Sequence, residues 1–97
     1  IYRKIYEAGI LPLVCGPPVY TQYLEPGWKA IGDLDPKEYD PFHELILIDE
    51  LCRAGSGGVA WGLFGGLSIG LPPIAIFGSK ELKDRIVGPC IRGEKVI

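Results

Sequence analysis

Apolar positions recur at helical spacing in several stretches of this chain, and breaker-rich segments separate them. Ile1, Ile5 and Ala8 share one face of a short first helix, and Gly9 is placed to stop it. Leu45, Ile48, Leu51 and Cys52 recur at helical spacing among Asp49, Glu50 and Arg53. Asp40 can cap that helix, Pro41 suits its first position, and Glu44 sits near the positive end of its dipole. Gly55, Ser56, Gly57 and Gly58 end it. A second helix is predicted from about Val59 to Leu71, closed by Pro72 and Pro73, with a kinked continuation to Phe77. Ser79 caps a third, Lys80 to Val87, polar at Glu81, Asp84 and Arg85 and apolar at Leu82, Ile86 and Val87. Gly88 and Pro89 interrupt it, Cys90 to Gly93 finish the helical part, and Glu94 to Ile97 read as extended. Helix follows helix. The predicted fold class is therefore all-α: a small bundle of about four to five helices with a long Pro/Gly-rich irregular segment.

That irregular segment runs from Leu11 to Pro41. It holds Pro12, Gly16, Pro17, Pro18, Pro26, Gly27, Gly32, Pro36 and Pro41, so no helix of ordinary length fits beyond a turn or two near Pro36–Tyr39. Tyr20, Tyr23 and Trp28 are the residues expected to pin it onto a core. A stretch this long without regular structure is unusual in a small domain.

From Ala54 to Ser79 there is no charged side chain, and Gly58, Gly62, Gly66 and Gly70 stand four residues apart. On an α-helix that step drifts by only about 40°, so the four form one smooth stripe. Such a stripe can be a membrane-helix packing face, a phosphate-cradling or nucleophile-bearing turn, or the wall of an apolar pocket. A membrane span needs about 20 apolar residues, and only about 13 precede Pro72. Gly55-Ser56-Gly57-Gly58-Val59-Ala60 matches G-x-G-x-x-A, but the preceding segment has helical rather than strand periodicity. Gly66-Leu67-Ser68-Ile69-Gly70 matches G-x-S-x-G, but the one histidine, His43, lies upstream and no strand leads into the serine. Ser68 therefore reads as a helix-packing hydroxyl.

Composition narrows the function classes. The chain has 97 residues, is 47% hydrophobic and 23% charged, and carries a net charge of −2. Its ten basic residues are scattered, which argues against a nucleic-acid binder. Cys15, Cys52 and Cys90 form no C-x-x-C pair, and His43 has no partner at metal-ligand spacing, so no metal site is predicted and the thiols read as reduced. No pair of carboxylates sits in an apolar setting, and no catalytic residue is assigned. No cleavable leader is visible. The expectation is a soluble intracellular protein, with mitochondrial, peroxisomal and cytoplasmic placements not distinguished. The absence of methionine, together with a helical start and an apolar finish, reads as a piece of a larger protein.

Three stretches in combination resemble the N-terminal domain of acyl-CoA dehydrogenases. The first is Glu44-Leu45-Ile46-Leu47-Ile48-Asp49-Glu50-Leu51-Cys52-Arg53, followed by a small-residue link and a Gly/Ser-rich apolar helix. The second is Ile76-Phe77-Gly78-Ser79-Lys80-Glu81-Leu82-Lys83-Asp84-Arg85 with the closing Gly93-Glu94-Lys95. It is similar to the family's hydrophobic-Gly-(Ser/Thr)-Glu-x-x-Lys run and its Gly-Glu end. The third, Glu7-Ala8-Gly9-Ile10-Leu11, is similar to the family's opening helix and turn.

The resemblance implies that residues 1–97 are the all-α N-terminal domain of a three-domain flavoenzyme. Such enzymes oxidise the Cα–Cβ bond of an acyl-CoA thioester, and FAD takes the hydride. Carried over residue by residue, the acyl-pocket lining would be Trp61, Gly62, Gly65 and Ile69. The link Ala54–Gly58 is one residue longer than the family pattern, and Trp61 is bulkier than usual at its position. The catalytic glutamate and most flavin contacts of the family lie outside these residues. The isolated segment is therefore expected to be inactive, to retain FAD poorly and to expose apolar surface. The parent would use acyl-CoA and an electron-transfer acceptor and form a homo-oligomer, without nucleic acid or a membrane span. The rival reading is a small helical interaction domain with no catalytic role.

Overall fold

The structure, a computed structural model, describes residues 1–97. It contains helices and no strand. Helix α1 is Tyr2–Glu7 and α2 is Leu11–Val14. Three single 3-10 turns follow, at Thr21–Tyr23, Ile31–Asp33 and Pro36–Glu38. Helix α3 is Pro41–Cys52. Helix α4 (Gly57–Phe64), a π-helical segment (Gly65–Gly70) and α5 (Leu71–Phe77) join end to end into one long helix of 21 residues. Helix α6 is Lys80–Ile91.

The helix starts are chemically specified. The Asp40 carboxylate accepts from the His43 N–H at 3.0 Å, and the Asp40 N–H donates to His43 Nδ1 at 3.3 Å, a capping box built with histidine. Ser56 accepts from the Val59 N–H, and Ser79 from the Leu82 N–H. The α4 start lies at Gly57, two residues before the predicted Val59.

The core gathers Tyr6, Leu11, Val14, Cys15, Leu67, Leu71, Val87, Cys90 and Ile91. Tyr20, Tyr23 and Trp28 pack against it, as their loop requires. The Trp28 indole N–H also donates to the Tyr6 carbonyl at 2.8 Å. A satellite cluster of Leu13, Val19, Ala30 and Tyr39 sits beneath the irregular segment.

Four expectations need correction. On α1 the buried residue is Tyr6, whereas Ile1 and Ala8 are exposed. On α3 the inward side is Leu47 and Leu51, while Leu45 and Cys52 face solvent. Residues Leu45 to Ile48 are all apolar, so spacing alone did not select a face. Pro72 and Pro73 do not end the second helix. Each lacks an N–H, and an α-helical proline ring strikes the carbonyl four residues back. The wider π-turn just before them removes that clash: the Leu71 N–H reaches back five residues to the Gly66 carbonyl. Finally, Pro89 lies inside α6 rather than breaking it. An interior proline costs about 3 kcal/mol, and burial of Val87, Cys90 and Ile91 around it offsets that. The tail from Glu94 forms a bend and pairs with no strand.

Candidate functional site: the outer face of the long helix

The long helix has two apolar sides. Ala60, Leu63, Leu67 and Leu71 enter the interior. On the other side Trp61 and Ile69 are 72% and 64% exposed, and Phe77 is 84% exposed. Trp61, Gly65, Ile69, Pro73 and Phe77 succeed one another every four residues. In an α-helix a four-residue step overshoots one turn by about 40°. In a π-turn, closed by i→i+5 bonds, the same step falls short. The π-segment thus offsets part of the drift, and Trp61, Ile69, Pro73 and Phe77 are all exposed, with Gly65 half-buried between them.

The sequence-assigned residues divide accordingly. Trp61, Gly65 and Ile69 come together on the outer face. Gly65 is half-buried, and a Cβ built on it meets no atom within 4 Å, so it leaves an open notch between Trp61 and Ile69. Gly62 stands one residue around the helix, equally open at its Cα, and its carbonyl accepts the Tyr2 hydroxyl at 2.7 Å. Pro73 and Phe77 belong to the same face and were missed. Their signal, the unbroken stride of four, was hidden by placing a kink at Pro72–Pro73.

No titratable group lies on this face. The nearest ionisable chemistry is in the interior: burial pushes the Cys15 thiol up to about 12, so it stays protonated at neutral pH. Tyr39 is raised by burial and by the nearby Glu44 carboxylate, and its hydroxyl donates to the Leu13 carbonyl at 2.8 Å. The face can serve as one wall against an apolar chain. Its glycine and apolar residues do not fit the pyrophosphate of a dinucleotide, which needs converging donors. A separate groove of about 350 Å³ lies between α3 and the irregular segment, walled by Leu13, Ile31, Leu34, Ile46 and Leu47, with His43 and Glu50 among its lining. The long helix contributes nothing to it.

The family model for the acyl-CoA dehydrogenase N-terminal domain matches residues 28–94, more than two thirds of the chain. The chain belongs to the acyl-CoA dehydrogenase family. Over 63 residues, 65% of the chain, it is 44% identical to the acyl-CoA dehydrogenase AFT10-1 of Alternaria alternata, a match spanning 15% of that protein. Over 59 residues, 61% of the chain, it is 37% identical to the acyl-CoA dehydrogenase apdG of Emericella nidulans, spanning 14% of it. The matched region is thus about one seventh of these curated relatives. No solved structure gives a significant match. The family match covers α3, the long helix and α6, and so includes the whole outer face of this acyl-CoA dehydrogenase segment. By length and composition alone the 21-residue helix would also suffice to cross a membrane. Its Leu63–Leu67–Leu71 side, however, is buried within the domain.

Proposed function

We propose that this segment is the N-terminal α-domain of an FAD-dependent acyl-CoA dehydrogenase, and that Trp61, Gly62, Gly65 and Ile69 line the acyl-chain side of its substrate cavity. The observation that carries this reading is the outer face: apolar, uncharged and notched at Gly65. A wall of this kind binds an acyl chain by removing apolar surface from water, at about 25 cal/mol per Å². Its shape sets which chain lengths fit. In the family's chemistry FAD supplies hydride acceptance. None of these four side chains is a general base, so their part is to bind, orient and exclude water. The complete enzyme would pass electrons to an external acceptor and assemble as a homo-oligomer.

The experiment is dye-linked oxidation by the full-length enzyme across a series of acyl-CoA chain lengths. Gly65→Leu fills the notch and is expected to penalise long chains more than short ones by about tenfold or more in kcat/KM, the effect of one or two displaced methylenes. An unchanged chain-length profile would remove Gly65 from the cavity wall.

A further inference from the structure

Gly58, Gly62, Gly66 and Gly70 form a second stripe of the long helix, which shares only Gly62 with the proposed wall. The chain itself lies on its far half, Gly66 and Gly70, whereas a Cβ at Gly58 or Gly62 meets nothing within 4 Å. Ile1 and Tyr2 border Gly58 and Gly62 in a shallow cleft of about 180 Å³, and the Tyr2 hydroxyl bonds the Gly62 carbonyl. Ile97 lies over Gly66 and Gly70. A Cβ at Gly66 would collide with the Ile97 carbonyl oxygen and stand 2.8 Å from its Cγ2. A Cβ at Gly70 would meet Ile97 Cδ1 at 3.8 Å, an ordinary contact.

The path that brings Ile97 there is fixed by separate contacts. Gly93 adopts φ +74°, and a Cβ on it would lie 2.7 Å from the Tyr2 carbonyl. The N–H groups of Glu94 and Lys95 both donate to the Pro89 carbonyl, at 2.9 and 3.2 Å. The Glu94 carboxylate accepts from Arg92 at 3.0 Å and stands 3.9 Å from the Arg3 guanidinium.

We infer that residues Gly93–Ile97 form a strap seated on the bare helix backbone at Gly66, and that Gly66 is a positioning residue holding the π-turn and the chain that crosses it in one register. The occupant of the Gly66–Gly70 half of the glycine stripe is this chain's own strap. The inference goes beyond the acyl-wall reading and does not depend on it, because neither Gly66 nor Gly70 is a wall residue and its test uses no substrate.

Hydrogen exchange of the full-length protein, read on peptides covering residues 64–71 and 93–97, tests it. Gly66→Ala and Gly70→Ala add the same methyl to the same π-segment and differ in what that methyl meets. Gly66→Ala is expected to raise exchange in both peptides by about tenfold or more, with α3 unchanged, and Gly70→Ala to leave them within about twofold. Equal behaviour of the two variants overturns the strap, and so does a rise that extends to α3. Ile97→Ala leaves the helix sequence intact and covers the case in which Gly66→Ala fails to fold. It is expected to raise exchange at residues 66–70, and unchanged protection there overturns the inference.

Discussion

The Ser68 hydroxyl donates to the Val14 carbonyl at 2.8 Å, joining residues 54 positions apart in the chain. Val14 is the last residue of α2, where a helix leaves carbonyls without internal partners. One side chain of the long helix thus satisfies the end of another helix beside the core. Ser68→Ala removes the donor and leaves that carbonyl unpaired in a partly buried site. The expected loss is about 1–2 kcal/mol in urea unfolding, with an unchanged denaturant slope. A variant as stable as the parent would show that water replaces the bond at no cost.

Glycine substitutions should separate by backbone geometry. Gly65 has helical backbone and open space at its Cα, so Gly65→Ala is expected to stabilise by roughly 0.5–1 kcal/mol. Gly9 has φ +83°, and a Cβ there would lie 2.6 Å from the Ile31 nitrogen. Gly9→Ala combines a left-handed strain with a backbone clash and should destabilise by more than about 1 kcal/mol. Thermal unfolding of the two variants side by side checks the sign, which must be opposite. If the Gly65 gain comes with a changed chain-length preference, the glycine is held there for the cavity rather than for packing.

Most of the architecture was legible because local chemistry agreed with it. Asp40-Pro41 and Ser79 announce their helices, and Gly9 and Gly55, both at positive φ, end theirs. The failures at the prolines have one cause: tertiary burial overrode a local rule. Pro72–Pro73 read as a helix end with a kinked continuation and Pro89 as an interruption, yet Leu71 and Ile91 beside them are fully buried, and the helices run on. The π-turn that makes room for the proline pair has no sequence signature beyond the glycines around it. The site was half legible for the same reason. Trp61, Gly65 and Ile69 fell within the predicted helix, whereas Pro73 and Phe77 lay past the supposed break. The face of α3 was not legible, because Leu45–Ile48 offers apolar side chains in every direction.

Thiol accessibility follows from burial. Cys15 and Cys90 lie in the core, both held above the ordinary thiol range chiefly by burial, whereas Cys52 is exposed at the end of α3. A thiol reagent at neutral pH should modify Cys52 rapidly and the other two only as the domain opens. Mass mapping after timed alkylation is the check. Early labelling of Cys15 or Cys90 would mean that the seam between α2, the long helix and α6 opens readily.

Acid stability depends on two carboxylates whose folded values are lowered. Asp40 is held below its usual 3.8 chiefly by the His43 backbone N–H, and Glu94 below its usual 4.5 chiefly by its hydrogen bond with Arg92. A lowered folded value means that the unfolded chain binds protons first as pH falls. Both groups therefore contribute fully above the unfolded values and lose that contribution as pH drops through the folded ones. Stability should be flat in this respect above about pH 5 and decline steadily below about pH 4. Both side chains are solvent-exposed, so added salt should shrink the Arg92–Glu94 part of the decline. Asp40→Asn retains a capping oxygen and removes the charge. It should flatten the acid limb while costing little at pH 7, as measured by thermal unfolding across pH. A limb of unchanged steepness in Asp40→Asn and in Glu94→Gln would place the acid sensitivity in other carboxylates.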